Sequence, residues 1–392
     1  MAIAAAHFVD QLAALGVRFV AGVPDTILCE LAGRLGAPDS PLRHLVACNE
    51  GAAVAAAIGH HLASGAVAAV YLQNSGLGHA ANPLASLAAP EVCSIPLLLL
   101  VGWRGELADD GTQLADEPQH RLQGRLTPAQ LDLLGIAHET LGPADSDPAA
   151  ALRRLLRLAL RRQRPVALLL RRGTFAPAPA GSVGPPLAAG APQMSREQAI
   201  EACLRALPQG AATVATTGMA SRELFDLRRR RGEPHDLDFL VVGAMGHASH
   251  VALGLCCAEP GRPVLCLDGD GAALMHLGAL ASCAGARGLL HVVLNNGAHE
   301  SVGCQPTSAP GLRLAALARA CGYARVATVR SPASLEAAVR DFLECGQSGF
   351  IEAVCRVGHR ADLGRPALLP REAARRFMRA LRSPLCGPAG GT

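Results

Sequence analysis

Continuous apolar runs alternate with longer helical patterns along the first part of the chain. The runs that predict strands are RFVAGVP (18–24), LRHLVAC (42–48), VAAVYLQ (67–73), SIPLLLLVGW (94–103) and PVALLLRR (165–172). Between them, HFVDQLAALGV (7–17) and NEGAAVAAAIGHHLASG (49–65) have the spacing of helices. Strands that are apolar on both faces are typical of a parallel sheet covered by helices. The pattern therefore predicts an α/β domain with a buried parallel sheet.

A segment rich in proline, glycine and alanine, TFAPAPAGSVGPPLAAGAPQ (174–193), interrupts this alternation and indicates a linker. After it, the capping pattern Ser195-x-x-Gln198 opens a helix, and a second series of elements follows. Its predicted strands are ATVATTG (212–218), DFLVVGAMG (238–246), PVLCLDGDG (263–271), GLLHVVLNNG (288–297) and GFIEAVCRV (349–357). We predict two doubly wound parallel-sheet α/β domains and no third, over residues 1–175 and 194–392, joined by a linker over 176–193. No sequence repeat relates the two.

Composition excludes several classes of function. The chain has 392 residues, of which 36 are basic and 32 acidic, and the net charge of +4 does not indicate a nucleic-acid binder. Every basic residue is arginine, so the run at 228–231 indicates composition bias and a solvated surface. The 13 cysteines include no Cys-x-x-Cys pair and indicate small buried side chains in a reducing compartment. Without a signal-peptide pattern or an apolar window of about 18 residues, we expect a soluble cytoplasmic protein with no membrane partner.

Acidic and amide side chains follow two consecutive strands of the second domain. One strand ends in DGDG (268–271) and the next in NNG (295–297). Both ends lie on the carboxyl edge of a parallel sheet, where ligands of open α/β sheets bind. Glycines let backbone amides approach a phosphate, and carboxylate and amide oxygens suit Mg²⁺, so a magnesium diphosphate site is one interpretation. A plain glycine turn is another. A dinucleotide fingerprint is a third, although Leu274 replaces its last glycine and no acidic residue ends the next strand.

The same stretch resembles the diphosphate and magnesium motif of thiamine diphosphate enzymes, in which GDG precedes NN by about two dozen residues. The resemblance implies thiamine diphosphate and Mg²⁺ as cofactors, with Asp270, Asn296 and the carbonyl of Ala298 as metal ligands. It also implies cofactor contacts from the glycines and alanine of the motif and from an upstream GAMG segment (243–246): Gly243, Met245, Gly269, Gly271 and Ala272. Met245 matches the bulky residue that supports the bent cofactor. The alternative is an ordinary core methionine.

Glu50 stands where the strand LRHLVAC passes into an alanine-rich helix. A lone glutamate at a helix start is usually only a cap or a favourable dipole interaction. Because the magnesium motif is also present, Glu50 resembles the glutamate that hydrogen-bonds the cofactor aminopyrimidine in these enzymes. The resemblance implies that Glu50 both takes part in catalysis and binds the cofactor. A different interpretation of the whole chain is a nucleotide-binding or regulatory module whose catalytic site has decayed. The joint presence of Glu50, Asp270 and Asn296 favours the enzyme.

Further segments resemble the phosphonopyruvate decarboxylases and, less closely, the sulfopyruvate decarboxylases. They are AGVPDTIL (21–28), YLQNSGLGHAANPLASL (71–87), LVGWRGE (100–106) and DEPQH (116–120), and the resemblance continues to RADLGRPALLP (360–370). Residues 107–115 form a longer spacer than this family leads us to expect, so we expect an altered loop beside the site. The resemblance implies decarboxylation of 3-phosphonopyruvate to phosphonoacetaldehyde and CO2 in phosphonate natural-product biosynthesis.

The resemblance also suggests roles for side chains of the first domain. Asp25 and His120 are candidates for the proton transfers, with a helix cap and a surface histidine as their ordinary alternatives. Arg104 suits the anionic group of the substrate because arginine binds such groups bidentately. Asn74 or Ser75 would contact the substrate or the cofactor.

The pyrimidine and diphosphate sites of related enzymes meet across a subunit interface, so we expect a homodimer or a dimer of dimers. Two substrate alternatives stay open. Sulfopyruvate would keep the fold and change only the anionic group of the small-molecule substrate, whereas DEPQH and the single fused chain favour the phosphonate. A carboligating enzyme usually has a third central domain, which this length does not accommodate.

Overall fold

The computed structural model describes residues 2–145, 147–177 and 194–382, which form two compact units. Of these residues, the first unit contains those up to Pro177 together with Ser301–Pro306, and the second contains the others. The predicted linker, 176–193, lies outside the described residues except for Ala176 and Pro177. Each unit is therefore considered by itself.

The first unit is built on a parallel sheet. Its strands are β1 (Phe19–Gly22), β2 (Arg43–Val46), β3 (Ala68–Gln73), β4 (Leu97–Gly102), β5 (Ala137–Leu141) and β6 (Val166–Leu170). Its helices are α1 (Ala5–Ala14), α2 (Cys29–Leu35), α3 (Glu50–Ser64), α4 (Leu77–Pro83), α5 (Pro118–Leu133) and α6 (Pro148–Arg162). A 3-10 turn (Asn74–Gly76) precedes α4 and a π-helical turn (Leu84–Ala88) follows it. The strand order is β2-β1-β3-β4-β6-β5, and every pairing is parallel.

Helices cover both faces of this sheet. Along β4, Leu98 and Leu100 pack into a core with α1, α2 and α6, whereas Leu97 and Leu99 pack into a core with α3, α4 and α5. Successive side chains of a strand point to opposite faces, so a strand buried on both faces must be apolar throughout. This is why the sequence of β4 shows no polar alternation.

The second unit contains a sheet of the same size. Its strands are β7 (Ala212–Ala215), β8 (Asp238–Leu240), β9 (Val264–Gly269), β10 (Leu289–Asn295), β11 (Ala298–His299), β13 (Arg325–Val329) and β14 (Gly349–Val354), and the short β12 (Gln305–Pro306) falls within the segment grouped with the first unit. The helices are α7 (Arg196–Ala206), α8 (Met219–Arg230), α9 (Ala248–Ala258), α10 (Asp270–Met275), α11 (Ala279–Cys283), α12 (Leu314–Ala320), α13 (Pro332–Cys345) and α14 (Pro370–Leu381). The six-stranded sheet has the order β8-β7-β9-β10-β14-β13, again all parallel.

The two sheets share one topology. If the strands of each six-stranded sheet are counted along the chain, both have the order 2-1-3-4-6-5. The predicted fold class, two parallel-sheet α/β domains, is confirmed, and the described residues show no third domain. The longest described helix, α5, has 16 residues. In the described ranges, no helix is long and apolar enough to cross a membrane.

Two strands of the six-stranded sheets were not predicted from the sequence. They are β5 and β13, which occupy the same edge position in the two sheets. In both strands the first three residues are half-buried and the fourth is exposed. An edge strand has fewer buried positions than a central one, so its sequence lacks the continuous apolar run on which the prediction relied.

Candidate active site

Both units have a topological switch point, the place where consecutive strands leave the first strand in opposite directions. In the first unit it lies between β1 and β3, and in the second between β7 and β9. Open parallel sheets bind ligands beyond the carboxyl ends of the strands at this point. Asp25 follows β1, Asn74 and Ser75 follow β3, and Asp270 follows β9. The predicted residues thus fall where the topology creates a crevice in each unit.

Glu50 is the first residue of α3. The side chain of Asn49 caps this helix by accepting a hydrogen bond from the backbone N–H of Ala52 at 2.8 Å. Glu50 is buried, with 6% of its surface exposed, and its Oε2 lies 2.7 Å from Nδ1 of His79. The hydrogen bond to Glu50 raises the pKa of His79. A Cβ atom at Gly76 would lie 2.5 Å from Oε1 of Glu50, so the carboxylate fits only beside a glycine.

Asp25 is the most deeply buried of the predicted catalytic residues, at 1% exposure. Its Oδ2 accepts a hydrogen bond from the N–H of Ile27 at 3.1 Å, and its Oδ1 has no hydrogen-bond partner among the described residues. Burial raises the pKa of Asp25 to about 7, although the positive charge of Arg104 and nearby N–H groups act in the opposite direction. Gly102 leaves room for it, since a Cβ there would lie 2.1 Å from Oδ2. A carboxyl that ionises near neutrality suits proton transfer.

Arg104 forms a buried ion pair that the sequence analysis did not predict. Its Nε and Nη2 donate to the two carboxylate oxygens of Asp116 at 2.9 and 2.7 Å, a bidentate arrangement. Burial alone would raise the pKa of Asp116, but hydrogen bonds from Arg104 and from the N–H of Gly105 hold it at about 2. Two of the three guanidinium nitrogens of Arg104 thus bind Asp116. The third, Nη1, has no hydrogen-bond partner among the described residues. A substrate contact from Arg104 stays a prediction. Asp116 is the first residue of DEPQH, so a sequence signal for it existed.

Asn74 connects the end of β3 to the loop after β4. Its Nδ2 donates to the carbonyl of Arg104 and to Oγ1 of Thr127, both at 2.9 Å, and its Oδ1 accepts from the N–H of Arg104 at 3.1 Å. Both of its N–H bonds therefore hold protein groups. The neighbouring Ser75 accepts a hydrogen bond from Gln73 at 2.6 Å. Cofactor or substrate contacts from Asn74 and Ser75 stay predictions.

His120 lies in the first turn of α5 and is buried, which excludes the alternative of a surface histidine. Burial and then the charge of Arg104 lower its pKa to about 4, and the charge of Asp116 opposes this only in part. His120 is therefore a neutral imidazole at neutral pH. The positive charge of Arg104 lowers the pKa of both Asp25 and His120, so both lie within electrostatic range of this guanidinium.

In the second unit, Asp270 begins α10 and is 2% exposed. Its Oδ2 accepts a hydrogen bond from Oγ1 of Thr307, a residue that the sequence analysis did not single out. Burial raises the pKa of Asp270 to about 6, although Thr307 and backbone N–H groups, including that of Asn296, lower it. The carboxylate of Asp270 therefore lies beside the backbone of Asn296, as expected from the adjacent parallel strands β9 and β10.

The oxygen atoms near Asp270 fit a hard divalent cation. Oδ1 of Asn296 accepts a hydrogen bond from the N–H of Ala298 at 3.1 Å, and its Nδ2 donates to Oε2 of Glu300 at 2.9 Å. A carboxylate, an amide oxygen and a main-chain carbonyl are the ligand types that Mg²⁺ takes, and a cation would compensate the buried charge of Asp270. The three predicted ligands thus have a suitable chemistry and occur together in the second unit.

The predicted diphosphate contacts surround the start of α10. Gly269 is its N-cap and Ala272 is buried in its first turn, while a Cβ at Gly271 would lie 2.8 Å from Cε1 of His299. Helix N-termini favour anions, although α10 is short.

The predicted cofactor support, Met245, is half-buried and lies in a tight turn after β8. On either side of it, Ala244 has φ 49° and Gly246 has φ 87°. A left-handed alanine is uncommon, and such strain often occurs at functional sites. Gly243 precedes this turn, and support of the cofactor by Met245 stays a prediction.

Comparisons with known proteins agree with both units. The N-terminal TPP binding domain of thiamine pyrophosphate enzymes matches residues 3–131, and the C-terminal TPP binding domain of the same enzymes matches residues 216–353. Together with the paired sheets, these matches define a thiamine pyrophosphate enzyme.

Relatives that match over nearly the whole chain identify its family among the thiamine pyrophosphate enzymes. The chain is 38% identical to a phosphonopyruvate decarboxylase from Streptomyces viridochromogenes over 99% of this chain and 97% of that protein. It is 39% identical to one from Streptomyces hygroscopicus over 100% of this chain and 97% of that protein. A sulfopyruvate decarboxylase subunit beta from Methanothermobacter thermautotrophicus is 37% identical over 28% of this chain and 57% of that protein. The chain belongs to the phosphonopyruvate decarboxylase family.

Proposed function

We propose that this protein is a carboxy-lyase that decarboxylates 3-phosphonopyruvate to phosphonoacetaldehyde and CO2 with thiamine diphosphate as cofactor. The observation that carries the proposal is the similarity of 38 and 39% over the whole chain to two phosphonopyruvate decarboxylases. The carboxylates of Glu50, Asp25 and Asp270 support it, because each is buried and lies shortly after a strand of its sheet.

The cofactor supplies an electron sink for the charge that decarboxylation leaves on the substrate. In the second unit, Asp270, Asn296 and the carbonyl of Ala298 would hold Mg²⁺, and the start of α10 would hold the diphosphate. In the first unit, the buried Glu50 would hydrogen-bond the aminopyrimidine ring and hold the proton that passes between them.

Proton transfer to and from the substrate falls to Asp25, with His120 as a hydrogen-bond partner. Asp25, whose pKa is about 7, exchanges a proton readily at neutral pH, whereas His120, whose pKa is about 4, remains a neutral hydrogen-bond partner. The positive charge of Arg104 lowers the pKa of both residues and would attract the phosphono group of the substrate. Asp116 orients the guanidinium of Arg104.

We further propose that two copies of the chain assemble so that Glu50 of one serves the cofactor held by Asp270 of the other. The support is the family resemblance, together with the placement of the two residues in different units. Light scattering during size-exclusion chromatography should give a dimer or a tetramer. An active monomer would contradict the proposed assembly.

Sulfopyruvate is the second candidate substrate, since part of the chain is similar to sulfopyruvate decarboxylase beta subunits. Both substrates are 2-oxo acids with an anionic group on carbon 3. The deciding experiment measures aldehyde formation from phosphonopyruvate, sulfopyruvate and pyruvate in parallel, with thiamine diphosphate and Mg²⁺ present. We expect the highest kcat/KM for phosphonopyruvate. A higher kcat/KM for sulfopyruvate would support the same decarboxylation chemistry with sulfopyruvate as the substrate.

A further inference from the structure

A row of buried charged side chains lies behind Asn296 in the second unit. Nδ2 of Asn296 donates to Oε2 of Glu300 at 2.9 Å, and the same oxygen accepts from Nη1 of Arg196 at 2.8 Å. Arg196 in turn donates to both carboxylate oxygens of Glu223, at 2.7 and 2.8 Å. The other oxygen of Glu300 accepts from Nδ1 of His359. The row thus connects a predicted metal ligand to the first turn of α7 and to α8.

This row selects one orientation of the Asn296 amide. An asparagine side chain has an oxygen on one side and an NH2 group on the other, and only the oxygen ligates Mg²⁺. Glu300 can only accept a hydrogen bond from the amide, and the N–H of Ala298 can only donate one, at 3.1 Å. A reversed amide would place two acceptors together on one side and two donors together on the other. Both neighbours therefore favour the orientation in which Oδ1 faces away from Glu300.

Three side chains of the row are also buried. The side chains of Arg196, Glu223 and Glu300 are 7, 2 and 4% exposed. Buried charges of this kind are fixed by their partners, because a change in one leaves another uncompensated. Arg196 is also the first residue of α7, whose N-terminus is capped by the capping box of Ser195 and Gln198.

We propose that Glu300 is a positioning residue for the metal site: it fixes the Asn296 amide so that Oδ1, which has a second lone pair beyond its bond to Ala298, is available to Mg²⁺. The inference rests on the proposed function, which places Mg²⁺ at Asp270 and Asn296. Residues that orient metal ligands from behind commonly change metal affinity by about 10–100-fold when they are replaced.

The chain offers a matched control one residue away. Nδ2 of Asn295 donates to Oε1 of Glu352 at 2.8 Å, and Glu352 is buried like Glu300. Asn295 is not a predicted metal ligand. Glu300→Gln and Glu352→Gln therefore remove the same charge from the same kind of asparagine contact, at and away from the metal site.

The experiment titrates Mn²⁺, as a paramagnetic substitute for Mg²⁺, into wild type and variants with thiamine diphosphate present, and measures free Mn²⁺ by electron paramagnetic resonance. We expect Glu300→Gln to weaken Mn²⁺ binding by roughly 10–100-fold and Glu352→Gln to leave it unchanged. Circular dichroism of the apo proteins checks that both variants fold. If Glu300→Gln does not fold, Glu300→Asp decides, because it retains the charge beside Arg196 and loses reach toward Asn296.

A double variant separates orientation from general structural damage. In Asn296→Asp with Glu300→Gln, the donor and the acceptor exchange places, the total charge is conserved, and either oxygen of the new aspartate can ligate the metal. We expect it to bind Mn²⁺ more tightly than Glu300→Gln alone. Because an added carboxylate can strengthen Mn²⁺ binding by itself, Asn296→Asp alone is the reference. The orienting role predicts a smaller loss of affinity from Glu300→Gln in this background than in wild type, whereas a purely structural role predicts the same loss.

Two negative results have different meanings. If wild type binds thiamine diphosphate and Mn²⁺ and Glu300→Gln binds Mn²⁺ equally well, the role of Glu300 is overturned while the proposed function stands. If wild type binds neither, the proposed function fails, and the role of Glu300 fails with it.

Discussion

Some buried carboxylates of the described residues are paired with arginine, and others are not. Asp116, Glu223 and Asp238 each form an ion pair with an arginine at hydrogen-bond distance. Asp25 and Asp270 have no ion pair in the described part of the chain, and burial raises their pKa values to about 7 and about 6. Burying an unpaired carboxylate opposes folding, so its presence at a strand end favours a role in binding or proton transfer.

Asp25 should make stability depend on pH. Its pKa of about 7 in the folded protein lies above the usual 3.8, so the folded state retains a proton that the unfolded state loses above about pH 4. This contribution to stability is complete below pH 4 and is lost as the pH rises through 7. Between pH 5 and 8, the wild type should lose roughly 2–3 kcal/mol of unfolding free energy relative to Asp25→Asn.

Urea unfolding at several pH values measures this difference. Asp10→Asn, a change of an exposed aspartate in α1, serves as the control. Parallel pH profiles for wild type and Asp25→Asn would show that Asp25 does not titrate near neutrality.

At the scale of elements, the turn before α4 must fit closely against the start of α3. Gly76 contacts Glu50 so closely that an added methyl group would overlap the carboxylate, whereas a Cβ at Gly78, two residues later, would meet nothing within 4 Å. Gly76→Ala should therefore lower the unfolding free energy by about 1–3 kcal/mol and reduce kcat, because it displaces Glu50.

Gly78→Ala is the matched comparison and should be neutral or more stable by up to about 1 kcal/mol, since alanine is the better helix former. Thermal unfolding and steady-state kinetics distinguish the two variants. Equal effects from both would mean that the fit between the turn and Glu50 does not matter.

The central strands were predictable from the sequence, whereas two of the four edge strands of the six-stranded sheets, β5 and β13, were not. Strands such as β4, β9 and β10 are buried on both faces and therefore have continuous apolar sequences, whereas β5 and β13 are half-exposed edges. The positions of the site residues at strand ends follow from the same parallel topology.

The partners of the site residues were not predictable in the same way. Arg104 pairs with Asp116, Asn74 bonds Thr127 across 53 residues, and Asp270 bonds Thr307. Such contacts depend on how loops return to a sheet edge, which no local periodicity encodes. Asp116 lies within the DEPQH motif, whereas Thr127 and Thr307 lie in no motif that resembles the family.

At the scale of the whole molecule, the two units have the same strand order, and each holds some of the predicted site residues. In the proposed assembly the halves come from different copies, and this can be tested by complementation. Glu50→Gln and Asp270→Asn should each be inactive alone. Co-expressed, half of the dimers would be mixed, and each mixed dimer would have one intact site, so about a quarter of wild-type activity should return.

Activity measurements on the co-expressed and separately expressed proteins test whether Glu50 and Asp270 of one site come from different copies. Recovery should be absent when the separately purified variants cannot exchange subunits. No recovery from the mixed dimers would place both residues of each site in one chain.

Buried Glu50 is the side chain that we propose makes thiamine diphosphate chemistry possible on phosphonopyruvate. The most direct test measures phosphonoacetaldehyde formation by wild type, Glu50→Gln and, as a control, Glu139→Gln, a change in edge strand β5. With thiamine diphosphate and Mg²⁺ present, we expect turnover by wild type and Glu139→Gln and at least about a 100-fold loss of kcat in Glu50→Gln. Undiminished turnover by Glu50→Gln, or no turnover by wild type that has bound the cofactor, would contradict this account.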